Sequence, residues 1–531
     1  MRRTTTTVFS EFSNEGNLGS IIGKEFINHW YLVLLFALIM AALWWLYAMP
    51  KLNYKKLLYK RKYNIICLIS LLLIAPLCVA GMRGGFTTAV RPITVSNANQ
   101  YTKRTTDAAL VLNTPFSLIR TIGKSVFVVP NYYNSEAELE KVYSPLHNLT
   151  SSTSHPLTSK KNVVILIVES FGREYIGALN RDLDSGRYKG YTPYVDSLIA
   201  RSITFSHSYC NGRKSIDGMP SILSSIPMFV EPFFLTPASM NDMTGLAGIL
   251  GDEGYETAFF HGAPNGSMGF QAFAQKTGFQ TYYGRTEYEA AKGTNDFDGT
   301  WAIWDEPFMQ YYAEKMTQMK QPFMTTLFTA SSHHPFVIPK QYESQFPEEN
   351  LPIQKCIRYT DHAIGQFFKT ASKQPWFDNT IFVLTSDHTN QSDHAEYQTD
   401  LGGFCSPIII YEPGREPQLQ DKIAQQIDIL PTVLGMLGYQ KPYFGFGIDL
   451  LNTPSDNTWA VNYLNGVYQY IKNGYVLQFD GTQTKAVYSL DDRLMKKNLK
   501  GKVTQQSQME RELKAIIQQY MERMTQNRLL P

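Results

Sequence analysis

The sequence predicts an α/β domain with a mostly parallel central sheet flanked by helices, tethered to a helical membrane anchor. Three observations in the 531-residue chain support this. Two apolar stretches of membrane-spanning length lie within residues 1–82. Short apolar runs alternate with helix-like segments over residues 161–451, which is typical of βαβ units. Residues 452–531 contain Asn-Gly and Asp-Gly turns, which indicate hairpins of a small antiparallel sheet. Residues 83–160, polar and irregular, form a linker outside the cytoplasm.

The anchor is predicted as two transmembrane helices. Residues 30–49 are nearly uncharged, and about 20 such residues span a bilayer. Residues 64–82 form a second apolar stretch, interrupted by Pro76, which a membrane helix tolerates. The strongly basic loop KLNYKKLLYKRKY lies between them and is therefore expected in the cytoplasm. Two crossings then place the rest of the chain outside. A signal peptide is disfavoured because the first apolar stretch begins late and a second one follows.

Composition excludes several classes of protein. A formal net charge of +3 gives no basis for bulk electrostatic binding, so no nucleic-acid partner is expected. The cysteines cannot form a disulfide framework, since two lie in the second apolar stretch and at most one pair could form outside. They are Cys67, Cys78, Cys210, Cys356 and Cys405.

The main domain is read from its apolar pattern. The run at 163–168 is continuous and mostly β-branched, as in a strand buried on both faces of a parallel sheet. The other expected strands are 203–205, 256–260, 323–328, 381–386 and 407–411. Helices are expected around 193–201, 244–253, 354–372 and 421–437. After residue 451, we expect hairpins that extend the main sheet and a final helix over 504–528.

Acidic and histidine side chains follow several of these strands. Glu169, His261, His333 and the pair Asp387-His388 each lie just beyond a strand. The carboxyl ends of parallel strands line one crevice, where open α/β sheets bind ligands. Taken alone, Glu169 reads equally well as a solvated loop residue, and an isolated loop histidine is more often structural. Together, Asp387, His388 and Glu169 would bind a divalent cation such as Zn²⁺ or Mn²⁺ and leave a position open.

Ser215 is the candidate nucleophile. It follows a polar, glycine-containing turn and opens an apolar-periodic run, so we expect it at a helix N-terminus that attracts anions. The alternative is an ordinary N-cap serine. Coordination to a metal would lower the pKa of its hydroxyl and make it reactive. Arg213 and Lys214 could bind phosphate oxygens or be solvated charges.

The segments VVILIVESF, NGRKSIDGMPSILSSIP, FFHG, SSHHPF and TSDH occur in this order. In order and spacing they resemble the alkaline phosphatase/sulfatase superfamily, and more closely its lipoteichoic acid synthase and phosphoglycerol transferase branch. The resemblance covers roughly residues 83–451. It implies an alkaline phosphatase-like fold and a multi-pass protein of the bacterial plasma membrane, with its catalytic domain outside the cytoplasm.

The resemblance also implies roles for individual residues. His261 and His333 would contact the transferred group, with His333 stabilising phosphoryl oxygens or protonating the leaving group. Ser215 stands where the family commonly has threonine. One catalytic metal ion, usually Mn²⁺ in that branch, would be held by Glu169, Ser215, Asp387 and His388.

Two departures from related families narrow the chemistry. Residues 216–219, which follow Ser215, do not complete the C/S-x-P-x-R motif that sulfatases need, so sulfate ester hydrolysis is disfavoured. An acidic residue, a Trp and an Arg follow the FHG histidine in lipoteichoic acid synthases. Here those places hold Ala263, Met268 and Phe270. The transferred group therefore stays open between phosphoglycerol, phosphoethanolamine and other head groups.

The function predicted from sequence is that of a metal-dependent transferase. It would move a phospholipid-derived phosphoryl head group to a glycan or glycolipid hydroxyl through a phospho-Ser215 intermediate. Its partners would be a phospholipid donor, a glycan or glycolipid acceptor and the bilayer. A phosphodiesterase or sulfuric ester hydrolase of the same superfamily is the first alternative. A non-catalytic membrane protein that binds glycans or lipid head groups is the second, although the complete ligand set argues against it.

Overall fold

The computed structural model describes residues 30–46, 59–83, 126–148 and 157–531. These residues fall into two units, one holding the two N-terminal helices and the other holding everything from residue 126 onward. The helices are α1 (Trp30–Leu46), α2 (Lys60–Arg83), α3 (Glu136–Val142), α4 (Pro193–Ile199), α5 (Ser215–Ser224), α6 (Leu246–Asp252), α7 (Phe270–Lys276), α8 (Arg285–Lys292), α9 (Asp305–Gln318), α10 (Pro352–Ala371), α11 (Ile429–Leu437) and α12 (Gln506–Gln526). The strands are β1 (Leu146–His147), β2 (Asn162–Val168), β3 (Ile203–Tyr209), β4 (Glu256–His261), β5 (Thr281–Tyr283), β6 (Phe323–Phe328), β7 (Thr380–Ser386), β8 (Ile408–Tyr411), β9 (Gln418–Gln425), β10 (Tyr443–Phe444), β11 (Trp459–Leu464), β12 (Val467–Lys472), β13 (Tyr475–Phe479) and β14 (Thr484–Ser489).

Helices α1 and α2 carry the apolar N-terminal stretches. Over the described part of the chain, α2 is long and apolar enough to cross a membrane by length and composition, and it continues through Pro76. α1 is apolar but has 17 residues. The basic loop expected in the cytoplasm falls mostly on residues 51–58, outside the described ranges. An apolar helix is thus present, and a two-span anchor stays a prediction.

The central sheet has eight strands in the order β5-β4-β6-β2-β7-β8-β3-β9. Every neighbouring pair is parallel except those of β8, which runs antiparallel to β7 and β3. All six strands expected from the sequence are present, so the prediction of a mostly parallel sheet is confirmed. The reversed direction of β8 makes the sheet mixed, and strands β5 and β9 were not among the predicted strands.

Strand β2 lies at the centre and is buried on both faces. Val163, Ile165 and Ile167 pack into the hydrophobic core on one side of the sheet, and the intervening residues of β2 pack into the core on the other side. Burying each such side chain contributes about 1.5–3 kcal/mol. Helices α5, α6, α7, α11 and α12 contribute to the first core, and α4, α9 and α10 to the second. The unbroken apolar run thus reflects a strand covered by helices on each side.

The prediction of a helix over 421–437 is wrong for its first half. Residues of that segment form edge strand β9, parallel to β3, and α11 begins only at Ile429. Pro431 explains the boundary, because proline lacks an N–H and fits in the first turn of a helix but not in its interior. The polar N-terminal half of β9 is mostly solvent-accessible, as an edge strand allows.

The C-terminal hairpins form a separate four-stranded antiparallel sheet, β11 to β14. The predicted turns at Asn473-Gly474 and Asp480-Gly481 are confirmed, but the expectation that these strands extend the main sheet is wrong. The side chain of Gln425 explains this: its Nε2 donates to Trp459 O (3.0 Å) and its Oε1 accepts from Val461 N (2.9 Å). A side-chain amide thus satisfies backbone groups that a strand ladder would otherwise pair.

Helix α12 confirms the expected terminal helix, and its apolar side chains are buried: Met509, Leu513, Ile516, Ile517 and Met521. In the described part of the linker, the backbone N–H groups of Tyr132 and Tyr133 donate to Gln518 Oε1 of α12 (2.9 and 3.0 Å). The linker therefore lies along the main unit at residues 126–148, and the domain boundaries stay predictions. All five cysteines are free thiols.

Candidate active site

Glu169 and Asp387 leave the sheet side by side. Parallel strands β2 and β7 pair Val168 with Ser386 at their last positions, so the next residue of each strand emerges at the same edge. His388 follows directly. One potential ligand atom from each of Glu169, Asp387 and His388 lies within 4.8 Å of the others, and all three residues are buried. The structure therefore brings together these three sequence-predicted ligands.

Ser215 completes the cluster from the neighbouring helix. Its Oγ lies 3.1 Å from Glu169 Oε2 and 3.4 Å from His388 Nε2. It is the first residue of α5, whose N-cap is Lys214. The hydroxyl donates to Glu169 and does not cap its own helix. Ser215 is therefore not an ordinary N-cap serine. Ser215 stands where free backbone N–H groups favour an anion.

The donor atoms of this cluster fit a divalent cation. Asp387 Oδ1 accepts from the N–H groups of Ser170 (2.8 Å) and His388 (2.7 Å), but its buried Oδ2 has no hydrogen-bond partner. Leaving a buried carboxylate oxygen without a partner is costly. His388 Nδ1 lies 2.7 Å from the carbonyl of Thr389. A carbonyl only accepts, so in the neutral ring Nδ1 carries the proton and Nε2 holds the lone pair that a metal ligand requires.

The electrostatics agree with a site built for positive charge. Burial raises the pKa of Asp387 to about 8, and the charge of Glu169 adds to this rise. Burial also raises the pKa of Glu169, but the nearby His388 and His333 rings lower it more, so its net shift is downward. The pKa of His388 is raised because the two carboxylates outweigh its burial. Two carboxylates packed this closely need protons or a cation between them.

His261 ends β4 and is buried. Its Nδ1 lies 3.0 Å from the carbonyl of Phe328, and its Nε2 has no hydrogen-bond partner. Burial lowers its pKa to about 4, so the ring is neutral at pH 7. Because Nδ1 must donate to the carbonyl, Nε2 is an acceptor. His261 therefore suits a ligand group that donates a hydrogen bond, such as a hydroxyl.

His333 lies half-buried in the loop after β6. Its Nδ1 lies 2.9 Å from the carbonyl of His334, and its ring centroid lies 4.5 Å from that of Trp301. Trp301 Nε1 donates to the same carbonyl (2.6 Å). Strand β6 pairs in parallel with β2, so the loop that carries His333 leaves the sheet at the same edge as Glu169.

Trp301 and Asp305 were not found by sequence analysis. Asp305 Oδ1 accepts from Ala330 N (2.9 Å) and Ser331 N (3.2 Å), which fixes the loop that leads to His333. Both residues contact segments that are distant in sequence, so no local sequence pattern predicts their roles. The only available signal was the acid at the start of a helix, a common cap.

Arg213 and Lys214 flank the nucleophile candidate without contacting the cluster. The Arg213 guanidinium lies 5.5 Å from the ring centroid of Phe404, a cation–π arrangement, and its backbone N–H donates to Asp217 Oδ2 (3.2 Å). Lys214 is exposed. Both positive charges border the site, and their role in binding phosphate stays a prediction.

This sheet, with a serine facing a cluster of carboxylates and imidazole beyond its strand ends, defines the alkaline phosphatase class of α/β proteins. The fold matches a Vibrio parahaemolyticus protein described as a member of the alkaline phosphatase superfamily (TM-score 0.62, 24% identity, 71% of this chain and 90% of that one). It also matches the lipoteichoic acid synthase LtaP from Listeria monocytogenes (TM-score 0.58, 21% identity, 74% and 98%).

Sequence comparison narrows the class to a family. The sulfatase family model matches residues 161–439, and the chain belongs to the sulfatase family. Curated relatives include the lipoteichoic acid synthase-like YvgJ of Bacillus subtilis, 24% identical over 66% of this chain and 57% of the relative. They also include phosphoglycerol transferase I of Citrobacter koseri, 24% identical over 55% of this chain and 39% of the relative. The chain therefore spans only part of the length of these relatives.

Proposed function

We propose that the protein is a metal-dependent transferase of phospholipid-derived head groups, with Ser215 as nucleophile. The observation that carries this proposal is the contact of Ser215 Oγ with Glu169 Oε2 at 3.1 Å, at the N-terminus of α5. Lipoteichoic acid synthases and phosphoglycerol transferases among the relatives support the same chemistry. The missing C/S-x-P-x-R motif disfavours a sulfatase reaction.

Glu169, Asp387, His388 and the hydroxyl of Ser215 would hold the metal. Three oxygen donors and one imidazole suit Mn²⁺ or Zn²⁺, and Mn²⁺ is the ion that the resemblance to the phosphoglycerol transferase branch implies. Such an ion supplies Lewis-acid polarisation of a phosphoryl oxygen and lowers the pKa of a coordinated hydroxyl.

In the first step, Ser215 Oγ attacks the phosphorus of a lipid phosphodiester. The Oγ–P bond forms, the bond from phosphorus to the diacylglycerol oxygen breaks, and the proton lost by the serine hydroxyl is balanced by the one that the departing alcohol gains. The hydrogen bond from Ser215 to Glu169 orients the hydroxyl for attack. The free N–H groups of α5 offset the charge that develops on the phosphoryl oxygens. His333, held by Trp301 at the border of the site, would protonate the departing oxygen or stabilise the phosphoryl group.

In the second step, a hydroxyl of a glycan or glycolipid attacks phospho-Ser215. The new P–O bond forms, the P–Oγ bond breaks, and the proton that the acceptor hydroxyl loses is balanced by the one that the serine oxygen regains. Attack by water in place of the acceptor would give hydrolysis, which is the phosphodiesterase alternative. A two-span anchor in the plasma membrane, with the catalytic domain outside the cytoplasm, would keep the site near its lipid donor and raise its effective concentration.

The head group is proposed as phosphoglycerol or phosphoethanolamine. The acceptor atom His261 Nε2 suits a donating group on the head group, and both glycerol hydroxyls and an ammonium group donate. Ala263, Met268 and Phe270 occupy the places where the related synthases have acidic, Trp and Arg side chains, so head-group recognition by those side chains is not reproduced.

The test uses the full chain in detergent micelles with Mn²⁺ and fluorescent phosphatidylglycerol or phosphatidylethanolamine. Release of fluorescent diacylglycerol from one lipid, absent in Ser215→Ala, supports the proposal and identifies the head group. Transfer of the head group to an added glycan indicates a transferase, and its release as free phosphomonoester indicates a hydrolase. Binding of either lipid with no diacylglycerol formed would favour the non-catalytic alternative.

A further inference from the structure

Ser170 is a fully buried residue between the two carboxylates of the candidate metal site. It directly follows Glu169 and has a backbone φ of 57°. This left-handed conformation is unfavourable for a residue with a Cβ, and such strain is often found at functional sites. Contacts with the surrounding structure must hold Ser170 in this conformation.

Ser170 donates hydrogen bonds to both carboxylates. Its Oγ donates to Glu169 Oε1 (2.6 Å), and its backbone N–H donates to Asp387 Oδ1 (2.8 Å). The left-handed backbone thus directs two donors of one residue to two different carboxylates. Asn390 Nδ2 in turn donates to Ser170 Oγ (3.1 Å), which leaves the hydroxyl proton for Glu169.

These bonds hold one oxygen of each carboxylate, and the second oxygens, Glu169 Oε2 and Asp387 Oδ2, face Ser215 and His388. Glu169 Oε2 accepts from the Ser215 hydroxyl, and Asp387 Oδ2 accepts no hydrogen bond but lies 3.3 Å from His388 Nε2. A carboxylate with one oxygen held by a hydrogen-bond donor cannot rotate freely. Its second oxygen is therefore oriented before a cation binds. The same arrangement keeps Glu169 Oε2 within hydrogen-bonding distance of Ser215 Oγ.

We propose that Ser170, supported by Asn390, is a positioning residue that orients both metal-site carboxylates and thereby sets the affinity of the site for a divalent cation. The inference rests on the proposed metal site. It assigns to Ser170 a role in cation binding that does not require contact with substrate. Partners of this outer kind typically contribute about 10–100-fold to metal affinity.

The experiment measures the dissociation constant of Mn²⁺ by isothermal titration calorimetry on the full chain in detergent. Ser170→Ala and Ser170→Gly both remove the hydroxyl, and both keep the N–H that donates to Asp387. Both are expected to weaken Mn²⁺ binding by about 10–100-fold. Glycine also accepts the left-handed backbone, so Ser170→Gly keeps the metal-free melting temperature at or above that of Ser170→Ala. Asn390→Ala is expected to weaken binding by a smaller factor.

Ser202→Ala is the matched control. Ser202 is also buried, and its hydroxyl donates to a backbone carbonyl, that of Leu198 (2.7 Å), in front of β3 and away from the strand ends that form the site. Its Mn²⁺ affinity is expected to equal that of the unmodified chain. Loss of melting temperature in the Ser170 variants without a change in Mn²⁺ affinity would show a purely structural residue and overturn the inference. If the unmodified chain binds no Mn²⁺, the proposed metal site fails first and this inference fails with it.

Discussion

Gly218 of α5 packs directly against the backbone of Asp387. A Cβ placed on Gly218 would lie 2.4 Å from the Asp387 carbonyl oxygen, closer than real Cβ contacts allow. The absence of a side chain at this position therefore lets the helix that carries Ser215 approach the loop that carries two of the metal ligands. This close approach places the serine within hydrogen-bonding distance of Glu169.

Gly218→Ala should separate these two elements. We expect a loss of about 1–3 kcal/mol in the free energy of unfolding from overpacking, together with weaker Mn²⁺ binding, because Ser215 moves away from the carboxylates. Chemical denaturation and calorimetry measure the two effects. Gly251→Ala in α6 is the control, since its Cβ would meet only Gln280 Nε2 at 3.9 Å. Equal Mn²⁺ affinity in Gly218→Ala and the unmodified chain would contradict the account.

Ser215→Ala should lower turnover of the donor lipid by about 10³-fold or more, because removal of a nucleophile leaves only binding and charge stabilisation. The fold should persist, with a change in unfolding free energy of about 1 kcal/mol or less. Ser215→Thr keeps a hydroxyl and is expected to retain turnover well above that of the alanine variant. The measurement is diacylglycerol release beside a thermal melt. Substantial turnover by Ser215→Ala would rule out Ser215 as the nucleophile.

Glu169→Gln and His388→Ala should each weaken Mn²⁺ binding by more than about 100-fold, because loss of a ligand costs more than loss of an outer partner. Metal content after dialysis, determined by mass spectrometry, checks this. His362→Ala is a suitable control, since His362 lies on α10 near Glu306, away from the cluster. Unchanged metal occupancy in both ligand variants would refute the ligand assignment.

Mn²⁺ affinity should rise with pH and level off near pH 8. Burial, followed by the charge of Glu169, raises the pKa of Asp387 to about 8 in the metal-free protein. The proton that Asp387 holds below this pH must leave before the cation binds. For the same reason, the metal-free fold loses stability as pH rises from about 4 to about 8, since the folded state binds more protons than the unfolded state. Calorimetry and thermal melts across this range test both directions. An affinity that falls between about pH 6 and about pH 8 would contradict this prediction.

Much of this fold could be predicted from local sequence, and the exceptions have physical causes. Strand β2 could be predicted because a strand that is buried on both faces has an unbroken apolar run. The direction of β8 could not be predicted, since an interior strand buried on both faces has the same composition whichever way it runs. Strand β9 was misread because an edge strand with polar, charged residues resembles an amphipathic helix.

The candidate site divides in the same way. Glu169, Asp387 and His388 could be proposed because each lies just after a strand, and strand ends converge. Ser170 could not, since its importance lies in a left-handed backbone and in contacts with Asp387 and Asn390, each more than 200 residues away in the chain. The contact of Trp301 with His333 is equally non-local.

The central claim is that Ser215 becomes covalently phosphorylated by a lipid head group. The most direct measurement is peptide mass spectrometry of the full chain after brief incubation with Mn²⁺ and the donor lipid. The account predicts a phosphoryl-head-group adduct on Ser215 that is absent in Ser215→Ala and in samples treated with a chelator. The same adduct on another residue, or its persistence in Ser215→Ala, would contradict it.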